Sequence, residues 1–147
     1  MWAARTRLLV AALWAGSLWT IGYVVAPTLF LSLHDSVLAG TIVGSLLRSE
    51  AIVCVVCALV LRLLVKFSPI EPARQRALSM LIVAMVVCAA LIFFGLQPAM
   101  AHLKEAAGAA GLKGTPEGLR FGILHGVSQL VYLIESVLAA VLLVKMR

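Results

Sequence analysis

Apolar residues fill four long stretches of this 147-residue chain, and short polar segments separate them. Three of the stretches carry at most one charged residue and exceed the roughly 20 residues that a helix needs to cross a bilayer core. The second stretch is weaker, because Arg48 and Glu50 lie at its start and Arg62 and Lys66 lie near its end. We expect Arg48 and Glu50 at one membrane interface, while the long side chains of Arg62 and Lys66 reach the other. The pattern predicts an all-α polytopic membrane protein, a four-transmembrane-helix bundle with residues 1–147 as one membrane domain. The predicted spans are residues 8–33, 50–67, 77–101 and 121–144.

The composition agrees with a lipid environment. Hydrophobic residues make up 63% of the chain, charged residues 12%, and the mean hydropathy is +1.11. Soluble domains have about 25% charged residues, so a soluble globular protein is excluded. The lipid bilayer is therefore the predicted environment of most of the chain.

Basic residues are divided unevenly between the two ends of the predicted bundle. Eight of the twelve lysines and arginines precede the first span, surround the second connection or follow the fourth span. The positive-inside rule then places both termini in the cytoplasm, with the chain in the plasma membrane. Topology and anionic lipid headgroups account for the net charge of +6, so no nucleic-acid partner is implied.

Turn residues predict where three of the helices begin. Asp35 or Ser36 can cap a helix over residues 36–66, which is longer than the bilayer core is thick. Ser68 and Glu71 form a capping box for the third helix. Pro69 would then occupy the first position of the third helix. Thr115, Pro116 and Glu117 predict the start of the fourth helix in a similar way.

Two prolines lie toward the same ends of the first and third spans. Pro27 and Pro98 have no N–H, so they free the carbonyl groups four residues earlier, at Tyr23 and Phe94. Two kinks at similar depth would splay this half of the bundle. Prolines that are simply tolerated near helix ends are the alternative.

The fourth span carries polar residues at steps of three and four, which place them on one helical face. We call this face the polar seam. A carboxylate near the bilayer midplane, such as Glu135, costs about 2.5 kcal/mol or more. Protonation, hydrogen bonds within the seam or pairing with Arg62 would make Glu135 a structural clamp; the alternative is contact with a proton, an ion or a ligand. The seam consists of His125, Ser128, Gln129, Tyr132, Glu135 and Ser136.

Small residues predict where the helices meet. Gly40 and Gly44 form a GxxxG motif, and Gly16 stands between Ala12 and Thr20 in a row of small residues. Close packing within one bundle is the predicted role of these glycines. Formation of a homo-oligomer, or contact with a membrane partner protein, is the alternative.

Three histidines and three cysteines are candidates for cofactor chemistry. Imidazole is a common ligand of transition metals, and His125 is also a candidate haem ligand. No HxxxH or HExxH spacing supports a metal site, so solvated histidines and no cofactor are the competing interpretation. Cys54 and Cys57 form a CxxC that would serve a thiol oxidoreductase, although a thiol in hydrocarbon behaves as a small hydrophobe. The other candidates are His34 and His102 for a metal, and Cys88 at similar depth.

Four segments carry a further signal: residues 13–17 (LWAGS), 26–30 (APTLF), 39–44 (AGTIVG) and 121–128 (FGILHGVS). They resemble the bacterial membrane family labelled domain of unknown function 4149, over nearly the whole chain. That family is akin to the eukaryotic transmembrane protein 205 group, which is associated with tolerance of metal-containing drugs. The resemblance implies a four-helix membrane protein without an established activity, and it hints at export or metal handling. The residues that match the family pattern are Pro27, Gly40, Gly44, Arg48, His125 and Ser128.

The sequence contains no nucleophile-and-base set, phosphate loop or nucleotide fingerprint. We therefore predict a membrane protein without catalytic activity, in a binding, transport-associated or assembly role, with the polar seam as its functional feature. An outward-facing protein that binds a metal or haem, and a membrane thiol oxidoreductase, are the two alternatives.

Overall fold

The computed structural model describes residues 2–108 and 111–146, which form four long helices and no strand. The second of these, α2, has the predicted bounds. All four helices lie side by side as two successive helical hairpins, α1–α2 and α3–α4. The helices are α1 (Trp2–Ser32), α2 (Ser36–Lys66), α3 (Pro72–Ala107) and α4 (Pro116–Met146).

Side chains cap two of the helices as the sequence predicts. The Asp35 carboxylate accepts hydrogen bonds from the backbone N–H groups of Val37 and Leu38 at the start of α2, at 2.8 and 3.1 Å. At the start of α4, the Thr115 hydroxyl accepts from the Gly118 N–H at 3.0 Å. Each cap satisfies N–H groups that have no partner within the helix.

The predicted start of α3 is wrong. The helix begins at Pro72 rather than Pro69, and its N-cap Glu71 makes no side-chain cap. The predicted capping residue, Ser68, is engaged elsewhere: its hydroxyl donates to the Leu64 carbonyl and accepts from the Arg7 guanidinium. Ser68 therefore closes the end of α2 instead of opening α3.

Contacts among the helix ends define one end of the bundle, which we call the basic end. The Gln75 amide near the start of α3 donates to the Lys66 carbonyl at the end of α2, at 3.1 Å. Arg74 donates to the Lys145 carbonyl at the end of α4, at 2.8 Å. With Arg7 of α1 bonded to Ser68, the starts of α1 and α3 and the ends of α2 and α4 all meet here.

Each helix packs against two neighbours, so the four form a ring in chain order, with α4 closing on α1. The tightest packing lies in the half nearer the basic end. Van der Waals contact in this half holds the helices together, because lipid tails are as apolar as the side chains and supply no hydrophobic drive. The largest fully buried side chains here include Trp14, Leu18, Leu61, Ile82, Met85 and Leu142.

Two segments of π-helix interrupt α1 and α3. They cover Thr20–Val25 and Leu91–Leu96, and each ends two residues before a proline, at Pro27 and Pro98. Such segments arise where the regular helical hydrogen bonds are broken, as they are by a proline. The sequence therefore located both irregularities, which contain Tyr23 and Phe94.

Three of the helices, α1, α3 and α4, are long and apolar enough to cross a membrane. Large apolar side chains face outward along the bundle, as expected for contact with lipid; Leu9, Phe94 and Val144 are examples. The chain is therefore an all-α, multi-pass membrane protein. The remaining helix, α2, does not meet this criterion of length and apolar composition.

Candidate functional site between the hairpins

A cavity of about 340 Å³ lies between α2 and α3, and residues of α1 and α4 form its floor. It lies beyond the tightly packed half of the bundle, beside the π-helical segment Leu91–Leu96. Three apolar side chains of that segment, Ile92, Phe93 and Phe94, line it. Its polar and thiol-bearing lining residues are Arg48, Glu50, Cys54, Gln97, Tyr132 and Glu135.

Glu50 extends from α2 into this cavity and is buried, with 5% of its surface exposed. The sequence predicted an interface position for this residue, and in the structure the helix turns it inward against α1. The Ser17 hydroxyl lies 2.9 Å from Glu50 Oε1 and 2.9 Å from the Trp14 carbonyl oxygen. A hydroxyl has one proton, so it cannot donate fully to both acceptors. A proton on Glu50 would supply the missing donor.

Glu135 extends into the same cavity from α4 and is 2% exposed. Within the described residues, its carboxyl group has no hydrogen-bond or ion-pair partner. Arg62, the basic partner considered from the sequence, is exposed to the surroundings and makes no ion pair with it. A buried carboxyl group without a partner is costly, and it is therefore rare outside functional sites.

The hydroxyl groups near Glu135 bond to α1 and to the backbone instead. Tyr132 donates to the Leu18 carbonyl at 2.6 Å, and Tyr23 donates to the Ser136 hydroxyl at 2.9 Å. The Ser136 hydroxyl in turn donates to the Tyr132 carbonyl at 2.9 Å. These bonds join α1 to α4 and leave Glu135 unsatisfied.

Tyr132 is seated against Gly22 in the π-helical segment of α1. A Cβ added at Gly22 would overlap the Tyr132 ring, so only glycine admits the ring at this point. The sequence analysis missed Gly22, because its only local signal is a glycine a few residues before Pro27.

The predicted polar seam is divided by the structure. Ser128, Tyr132, Glu135 and Ser136 are buried, as their common face suggests. His125 and Gln129 are exposed, so their inclusion in an inward-facing seam is wrong. This part of α4 packs mainly against Gln97–Ala107, the last segment of α3. The sides of α4 that face away from α3 are therefore uncovered.

The predicted packing glycines do not bring helices into close contact within this chain. A Cβ added at Gly16 or Gly44 would have no atom within 4 Å, and Gly44 instead borders the cavity. At Gly40 a Cβ would lie 3.6 Å from the Lys104 ammonium, which is an ordinary contact. The close approach between two helices is instead at Gly22 of α1, which lies against the Tyr132 side chain of α4.

The histidine and cysteine candidates are separated. His34, His102 and His125 are all exposed, and the described residues contain no group of three metal-ligating side chains. His125 stacks on Phe121 with ring centroids 6.1 Å apart. Cys54 and Cys57 are free, buried thiols, and Cys54 borders the cavity. The cavity therefore brings together two carboxyl groups, the Arg48 guanidinium and the Cys54 thiol, and none of its described lining residues is a histidine.

A comparison with known families confirms the family named from the sequence, although the match ends before residues 121–128, one of the four segments that carried the resemblance. No curated protein and no solved structure matches the chain. A family model described as Domain of unknown function (DUF4149) matches residues 9–109, which include Glu50, Pro27 and Pro98 and end before α4. Because this match covers more than half of the chain, the protein belongs to the family described as Domain of unknown function (DUF4149).

Proposed function

We propose that this protein is a non-catalytic, transport-associated binding protein, and that Glu50 and Glu135 in the cavity take up and release a proton or a cation. The observation that carries the proposal is Glu135: it is 2% exposed, borders the cavity, and has no partner among the described residues. A carboxyl group in that position needs a proton or a positively charged ligand to offset its burial.

The surroundings of Glu50 support the same role. The Ser17 hydroxyl has one proton and lies near two acceptors. When Glu50 is ionised, the hydroxyl can donate to its carboxylate; when Glu50 is protonated, Glu50 can donate to Ser17 and the hydroxyl can donate to the Trp14 carbonyl. The two carboxyl groups border one cavity, so their negative charges would repel each other when both are ionised. A bound proton or cation would relieve this repulsion.

We further propose four membrane crossings with both termini in the cytoplasm of a bacterial inner membrane. The starts of α1 and α3 meet at the basic end, so α2 has to return across the thickness that α1 crosses. The concentration of arginine and lysine at this end supports a cytoplasmic location. In this arrangement the cavity lies within the bilayer.

The test is an infrared pH titration of the protein in lipid vesicles, in which the C=O stretch of protonated carboxyl groups is followed in H₂O and D₂O. We expect a band that disappears reversibly as the pH rises, that shifts in D₂O, and that is reduced in Glu135→Gln. Glu105→Gln is the matched control because its carboxylate is exposed on the outside of α3. A spectrum with no titrating band that depends on Glu135 or Glu50 would overturn the proposal.

A further inference from the structure

The two hairpins share a common design that the sequence does not display. Each begins with a helix that contains a six-residue π-helical segment at the same distance before its proline. The buried residues of α1 and α3 keep the same register. Arg7, Ala11 and Trp14 precede Pro27 by the same numbers of residues as Leu78, Ile82 and Met85 precede Pro98.

The second helices of the hairpins match in the same way. Five buried positions of α2 recur in α4 with the same spacing, so each of these five has a counterpart in α4. Because both hairpins run in the same direction, they resemble parallel repeats related by a pseudo-two-fold axis along the membrane normal. The counterparts are Glu50 with Ser128, Cys54 with Tyr132, Cys57 with Glu135, Ala58 with Ser136 and Leu61 with Ala139.

This pseudo-symmetry pairs the cleft between α4 and α1 with the cleft between α2 and α3. In the first cleft, the Tyr132 ring fills the space beside the π-helical segment of α1, and its hydroxyl donates to Leu18. In the second cleft, the counterpart of Tyr132 is Cys54, which is much smaller, and the cavity lies there. Ala89, the counterpart of Leu18, borders that cavity.

The two clefts differ in which helix supplies the aromatic ring. Phe93, which the same register pairs with Gly22, extends from the π-helical segment of α3, whereas the ring of the first cleft belongs to Tyr132 of α4. The open cleft provides an aromatic wall from Phe93 and Phe94, and two carboxyl groups, Glu50 and Glu135. Carboxylates and aromatic faces both attract organic cations.

We infer that the cavity binds a small aromatic ammonium compound, with its ring beside Cys54 and its ammonium group directed to Glu50 and Glu135. This inference rests on the proposed function and specifies the ligand class. The ring would pack against the aromatic wall formed by Phe93 and Phe94. Phe94 borders the cavity and is 76% exposed on the lipid-facing surface, so the ligand would enter from the bilayer between α2 and α3.

The test is calorimetric titration of the detergent-purified protein with 2-phenylethylammonium, and with 2-phenylethanol as the neutral compound of similar shape. We expect the ammonium to bind about tenfold or more tightly than the alcohol, because only the ammonium gains from the carboxylates. Cys54→Tyr should abolish binding by filling the cleft, whereas Cys54→Ser should preserve it. Glu135→Gln should weaken ammonium binding by about tenfold or more.

A second measurement covers the case in which Cys54→Tyr does not fold. In a Cys57→Ala, Cys88→Ala background, 2-phenylethylammonium should slow alkylation of Cys54 by N-ethylmaleimide, and 2-phenylethanol should not. Equal binding of the two compounds, or no protection of Cys54, would overturn the ligand class. The infrared band of Glu135 would still titrate in that case, so failure of this inference is distinguishable from failure of the proposed function.

Discussion

The Tyr132 hydroxyl takes the place of a backbone donor in α1: it donates to the Leu18 carbonyl at 2.6 Å. In a regular α-helix that carbonyl would accept a hydrogen bond from the Gly22 N–H. The tyrosine thus stabilises the π-helical segment Thr20–Val25 from outside the helix. It also fixes α4 against α1 and so positions Glu135, one turn further along α4, at the cavity.

Gly22→Ala should destabilise the protein by about 1–3 kcal/mol, because the added methyl group overlaps the Tyr132 ring and forces the helices apart. Gly16→Ala is the matched control: it lies in the same helix, and its methyl group would meet no atom within 4 Å. Unfolding in detergent, followed by circular dichroism, measures the difference. Equal stability of the two variants would show that Tyr132 is not seated on Gly22.

Glu135→Leu should leave the thermal stability unchanged or raise it, although it should abolish the proton or cation uptake proposed for the cavity. The physical reason is that no hydrogen-bond partner among the described residues loses its bond when the carboxyl group is replaced by an apolar group of similar size. Thermal unfolding in detergent checks this outcome. A clear loss of stability would indicate that Glu135 is a structural clamp.

Orientation can be tested with single cysteines in a protein whose native cysteines are replaced. Cysteine at Lys113, in the connection between α3 and α4, should react with a membrane-impermeant maleimide added outside spheroplasts. Cysteine at Ala73, at the basic end, should react only after the membrane is opened. The reverse pattern would place the basic end outside, against the positive-inside rule.

Local signals account for the parts of the fold that were predictable from the sequence. Asp35 caps the helix that follows it, and Thr115 does the same for α4, because a cap depends on only a few neighbouring residues. Pro27 and Pro98 likewise locate the π-helical segments, since the missing N–H is a property of the residue itself.

The site depends on which helical faces meet, and this is not encoded locally. Spacing alone placed His125 in the same row as Glu135, yet the bundle covers α4 at Glu135 and leaves it open at His125. Glu50 looked like an interface residue because Arg48 precedes it, and only the packing of α2 against α1 turns it inward. The relation between Cys54 and Tyr132 emerges only when the buried positions of the two hairpins are compared, because it depends on which residues the packing covers.

Proton uptake at Glu135 requires that its carboxyl group can be reached from the cavity and can be protonated there. Both properties are measured by modification with dicyclohexylcarbodiimide, an apolar reagent that adds to protonated carboxyl groups, followed by peptide mass spectrometry of the membrane-embedded protein. We predict modification of Glu135 that decreases as the pH rises and is slowed by 2-phenylethylammonium. Absence of modification at both Glu135 and Glu50, under conditions where a carboxyl group in another membrane protein reacts, would rule out proton uptake in the cavity.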